Sequence, residues 1–142
     1  MVKKVFSTFL CSVLIFLTAA VGVSAQSVQE KDNEQIQPML SYTNYTEQTI
    51  YVSNGMIACH GEVEGYPGTA TKVAITLYLQ KKTLFWWSDE EEWSTSYNRY
   101  YGSFTGKVTL PESGTYRTKA VYTVYSGSSS ETITGYSSEL KI

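Results

Sequence analysis

Between Ser41 and Ile142 apolar residues recur at every second position in short runs separated by turn residues, which is the pattern of half-buried strands and not of helices. The clearest run is Thr71 to Gln80, where Val73, Ile75, Leu77 and Leu79 alternate with Lys72, Ala74, Thr76, Tyr78 and Gln80. One face is aliphatic and the other mostly polar, so the run lies between a core and solvent. Met56 to Glu64 precedes it with Ile57, Cys59, Gly61 and Val63 on one side, and Gly65-Tyr66-Pro67-Gly68 supplies the turn between the two. Thr49 to Ser53 is a short strand before that, turned back by Asn54-Gly55, a dipeptide that tolerates the positive φ values of tight hairpins.

Further along, Leu84 to Trp87 and Trp93 to Tyr97 flank Ser88-Asp89-Glu90-Glu91-Glu92 and predict a hairpin with an acidic tip. Ser103 to Leu110, Thr115 to Tyr125 and Glu131 to about Leu140 complete a set of eight strands, spaced by Pro111-Glu112-Ser113-Gly114 and Ser126-Gly127-Ser128-Ser129-Ser130. The expected class is therefore all-β, a sandwich or a barrel, over residues 41–142.

The N-terminus reads differently. Residues 1–25 run from Lys3 and Lys4 through an apolar stretch, Val5 to Val23, to Val23-Ser24-Ala25, a small-residue pattern that predicts signal-peptide cleavage after Ala25. Residues 26–40 are rich in Gln, Glu and Asn with almost nothing to bury, and read as a flexible leader. The expected location is secreted, outside the cell, with no membrane attachment once the signal is removed.

Charge and cysteine content narrow the function. The chain carries a formal net charge of −2, and −4 once Lys3 and Lys4 leave with the signal. No strong basic field for nucleic acid follows. Of the 2 cysteines, Cys11 lies in the signal, so no disulfide forms within the mature chain. The single histidine, His60, excludes a zinc site built on two or more imidazoles. Cys59-His60 is the tempting nucleophile and base pair, but neighbours on an extended strand point to opposite faces. Asp32 and Asp89, the only aspartates, fall in the leader and the acidic run, so no Ser-His-Asp arrangement is supported. No catalytic residue, metal site or cofactor is expected, and the chain reads as a non-enzyme.

What remains is aromatic surface. The chain has 12 Tyr, 3 Trp and 5 Phe, and Trp86 and Trp87 are adjacent. On a strand one of these indoles must leave the face the other occupies. With Leu84 and Trp86 turned to the core, Phe85, Trp87, Trp93 and Tyr97 form an outward platform beside the acidic tip. Such a patch fits contact with an extracellular protein or a saccharide ring that stacks on the indoles. A structural, self-assembling protein that uses an exposed strand edge is the second class, and a secreted hydrolase the third.

Glu112-Ser113-Gly114-Thr115-Tyr116-Arg117-Thr118 resembles the segment that opens strand F in immunoglobulin-like domains. The resemblance implies an immunoglobulin-like antiparallel sandwich with a tyrosine corner at Tyr116, whose ring packs inward while its hydroxyl satisfies a nearby backbone group. Thr118 stands where that family has its second cysteine, Cys59 could match the first, and the inter-sheet disulfide is absent. The signal peptide, Gln80-Lys81-Lys82-Thr83-Leu84-Phe85-Trp86-Trp87-Ser88, and Gly114-Thr115-Tyr116-Arg117 through Thr132 together resemble a family of small, uncharacterised secreted proteins of clostridia-like Gram-positive bacteria. That resemblance implies export and supplies no catalytic residues.

Overall fold

The computed structural model describes residues 40–142. The expected signal (1–25) and all of the expected leader except Leu40 lie outside the described residues. Eight strands follow in order: β1 (Thr43–Ser53), β2 (Met56–Gly65), β3 (Lys72–Lys82), β4 (Trp87–Tyr97), β5 (Tyr101–Thr109), β6 (Thr115–Ser126), β7 (Ser129–Tyr136) and β8 (Leu140–Lys141). They form two antiparallel sheets packed as a β-sandwich, one ordered β1-β2-β5 and the other β4-β3-β6-β7, with β8 beside the start of β6.

The alternation seen in the sequence decides which face of each strand is inside. Val73, Ile75, Leu77 and Leu79 of β3 are fully enclosed, and so are Ile57, Cys59 and Val63 of β2. From β6, Tyr116, Thr118, Ala120, Tyr122 and Val124 complete the layer. Asn54 and Gly55 adopt φ of 51° and 70° in the β1–β2 turn, the left-handed pair that lets a two-residue hairpin match strand twist.

Two buried tyrosines bring polar groups into this core and satisfy them. The Tyr116 hydroxyl donates to the Glu112 carbonyl at 2.7 Å, pinning the turn before β6. The Tyr122 hydroxyl donates to the Glu47 carbonyl at 2.5 Å, tying β6 of one sheet to β1 of the other. A buried hydroxyl without such a partner would cost about 1–3 kcal/mol. Thr118 is equally enclosed; its hydroxyl donates to the Thr49 carbonyl at 3.0 Å and lies within hydrogen-bonding reach of the Cys59 sulfur.

The open sides of the sandwich are closed differently. On the β1/β7 side, Glu131 accepts hydrogen bonds from the N–H groups of Ser41 at 2.9 Å and Tyr42 at 2.8 Å. Burial alone would raise the Glu131 carboxyl, but hydrogen bonds from residues 41–43 outweigh it and hold the group below its ordinary range. On the β4/β5 side, Trp93 and Tyr97 pack against the core over Gly106 and Gly102. A Cβ at either glycine would fall inside the facing ring.

Several expected boundaries shift. The first strand begins at Thr43, six residues before Thr49, and the last expected strand divides into β7 and β8. The hairpin correction is larger: the chain reverses at Thr83–Trp86, and Ser88 to Glu92 lies within β4. The reason is local. The Thr83 hydroxyl and N–H both donate to the Trp86 carbonyl, at 2.7 and 2.8 Å, and the Trp86 N–H donates back to the Thr83 hydroxyl at 3.1 Å. This closes a tight turn that the Leu84-Phe85 apex does not advertise.

Two outcomes test the packing. Gly106→Ala displaces the Trp93 ring and costs about 1–3 kcal/mol in chemical denaturation. Thr118→Cys, oxidised in air, closes a disulfide with Cys59, reads as loss of free thiol, and stabilises the fold by about 4 kcal/mol on the chain-entropy estimate.

Candidate recognition site at the aromatic hairpin

The β3–β4 hairpin has a bulge. Leu79 pairs with Glu91 and Gln80 with Asp89, so Glu90 is an extra residue in β4. One inserted residue exchanges the two faces of a strand beyond it. Trp93 pairs with Leu77 and Tyr97 with Val73, and both therefore turn inward. Trp87 pairs with Lys82 on the other side of the bulge and turns outward.

The four residues of the expected platform are thus separated. Trp93 and Tyr97 are partly buried wall residues; the Tyr97 hydroxyl donates to the Ser103 carbonyl at 2.6 Å, and the Arg99 guanidinium lies 4.9 Å from the Tyr97 ring centre. Phe85 stands at the turn and Trp87 on the outer face of the five-stranded sheet. Leu84 and Trp86, expected in the core, are exposed as well. Relative exposures of 86 % for Leu84, 82 % for Phe85 and 64 % for Trp86 make this turn the most solvent-exposed run of large apolar side chains among the described residues. The Phe85 and Trp86 rings are 6.2 Å apart and tilted by 31°.

Behind the tip is an ordered polar and aromatic shoulder. The Arg117 guanidinium lies between two rings, 4.1 Å from the Trp87 centre and 4.2 Å from the Tyr136 centre. Its Nε donates to Gln80 Oε1 at 2.8 Å, and Gln80 Nε2 donates to Asp89 Oδ1 at 2.6 Å. Lys119 continues the row, 4.0 Å from Asp89 and 4.6 Å over the Tyr78 ring. These contacts hold Trp87 in place, so the tip projects from a braced base. Sequence reasoning overlooked Arg117 and Tyr136. The signal that could have found them is the alternation of β6, which sends Arg117 outward beside Gln80 once Tyr116 and Thr118 are inward.

The other candidate groups do not converge. Cys59 is fully enclosed, whereas His60 is half-buried and its Nδ1 lies 2.8 Å from the Thr105 hydroxyl on the outer face of the other sheet. Burial pushes the Cys59 thiol up to about 11, so it is protonated at neutral pH. Glu90 and Glu91 line a cleft of about 310 Å³ with Lys81, Glu112 and Tyr116. Among the described residues no group of three or more His, Cys, Asp or Glu side chains is placed to hold a metal ion.

No protein-family model matches the sequence, and no curated protein does. Among solved structures, the chain is similar to wild-type OgpA from Akkermansia muciniphila, with a TM-score of 0.42 and 14 % identity. The match covers 75 % of this chain and 32 % of that one.

The enclosed thiol gives a pH dependence. Its folded value lies above the ordinary 9.0, so the stability linked to the protonated thiol is complete below about 9 and lost as pH rises to about 11. Tyr122 is shifted the same way, chiefly by burial. Urea midpoints fall across this window, and Cys59→Ala falls less steeply than the wild type.

Proposed function

We propose that the domain is a secreted, non-enzymatic binding module that meets an extracellular partner, a protein or a saccharide, through the β3–β4 hairpin. The observation that carries the reading is the Leu84-Phe85-Trp86 turn, three consecutive large apolar side chains held in solvent by internal hydrogen bonds. Burying each would stabilise the protein by roughly 1.5–3 kcal/mol, a gain this hairpin leaves for contact with something else.

The non-enzymatic part is supported by the protonated, enclosed Cys59 and by the separation of His60 from it. Secretion is supported by the signal-like pattern of residues 1–25. An immunoglobulin-like assignment of the sandwich belongs to the same proposal. In its favour are the Tyr116 to Glu112 hydrogen bond and the meeting of Cys59 with Thr118 across the two sheets. The fourth strand pairs with the third and not in the sheet of the fifth, a departure from the constant-type arrangement. Self-assembly through the β4 edge is opposed by Asp89, Glu90, Glu91 and Glu92, a charged and bulged edge that repels its own copy.

The test is retention of the folded domain on intact cells and on isolated cell envelope. Combined Leu84→Ser, Phe85→Ser and Trp86→Ser substitutions lower retention at least about tenfold, with an unchanged unfolding midpoint, because the three side chains are largely exposed and lie outside the core. Retention equal to wild type by the folded variant rejects the hairpin as the contact element.

A further inference from the structure

We infer that the partner of the Leu84-Phe85-Trp86 turn is the interfacial region of a lipid bilayer, which the turn enters end-on. This rests on the hairpin being the contact element, puts a bilayer in place of the protein or saccharide of that reading, and revises the expectation of no membrane contact after signal removal. A saccharide platform needs polar side chains beside its rings. At the apex Thr83 supplies the sole hydroxyl, and that hydroxyl is engaged by Trp86. Leucine and aromatic rings together are the composition that partitions into the headgroup and acyl boundary.

Three features suit the turn to a low-dielectric medium. The Thr83 N–H, the Trp86 N–H and the Trp86 carbonyl are paired within the turn, which lowers the cost of withdrawing them from water. The two lysines that precede the tip are neutralised: Lys81 lies 3.7 Å from Glu112 and Lys82 lies 2.9 Å from Glu139. Charge balance at the base fits a zwitterionic surface and gives no requirement for anionic lipid. The tip is also convex, a knob and not a groove.

Placement in the fold agrees. Strand ends put the β3–β4 turn, the Asn54-Gly55 turn and the β5–β6 loop at one end of the sandwich, where Leu110 N–H donates to the Gly55 carbonyl at 3.0 Å. Val52 near the end of β1 and Leu110 in the β5–β6 loop are 48 % and 39 % exposed, so apolar side chains at this end do not come from the β3–β4 turn alone. A planar interface can meet several loops together, whereas a protein pocket takes one knob. The start of β1, where the chain arrives from residue 40, is at the opposite end, one strand length of 11 residues or roughly 35 Å away. The tip and the start of β1 therefore lie at opposite ends of the sandwich.

The experiment is co-sedimentation of the domain with phosphatidylcholine vesicles, with and without phosphatidylserine, together with indole quenching by brominated phosphatidylcholine. The wild type is expected to bind neutral vesicles, with less than about twofold change between low and high salt because the contact is apolar. The triple Ser variant loses roughly a hundredfold in partition, and Trp86→Phe keeps binding while losing most of the bromine quenching. Wild type that ignores vesicles, or a triple variant that binds them equally, overturns the bilayer inference. If vesicles are ignored while retention on cells still depends on the tip, the partner is a protein or a saccharide and the binding-module reading survives alone. If cell retention is independent of the tip, that reading fails by itself.

Discussion

A strand can show one set of alternate side chains to a core only while its alternation is unbroken, and β4 breaks it at Glu90. Beyond the bulge, Trp93 and Tyr97 fall on the inner side and close the gap between β4 and β5. Before it, Trp87 falls on the outer side and stacks on Arg117. Without the extra residue the two tryptophans would share a face, and either the wall or the shoulder would be lost. The tip inherits its direction from the same register, because Lys82 pairs with Trp87 and leaves residues 83–86 as the turn.

The walls of the sandwich show two ways of joining sheets that share no strand. On one side aromatic rings fill the space that Gly102 and Gly106 leave empty, so the contact depends on shape. On the other side the link is polar, through the Tyr122 hydroxyl on the Glu47 carbonyl and through Glu131 on the start of β1. Both walls leave the Leu84-Phe85-Trp86 tip free of structural duty. Its three apolar side chains contribute nothing to the core, which is why they are free to serve a contact.

The acidic run has a structural part as well. As the outer strand of its sheet, β4 exposes unpaired backbone groups to any other chain. Consecutive carboxylates and a bulge make that edge a poor template. A tip that leaves apolar rings in water and an edge that resists pairing act in opposite directions on self-association, and the charged edge limits the hazard of the exposed turn.

The sequence by itself determined the strand content, the inward sets of β2 and β3, the Asn54-Gly55 turn and the separation of Cys59 from His60. Each follows from a period of two or from a local backbone preference, and both are properties of neighbours along the chain. The pairing of β3 with β4 was decided only by the tertiary structure. Trp93 and Tyr97, four residues apart, face Gly106 and Gly102 with the same spacing, a match between distant segments that no local pattern contains. That match selects a register in which Leu84 and Trp86 leave the core and Trp87 and Trp93 part company. Which aromatic rings remain in water is therefore a result of packing between the sheets, where burial of the wall outweighs the alternation of the hairpin.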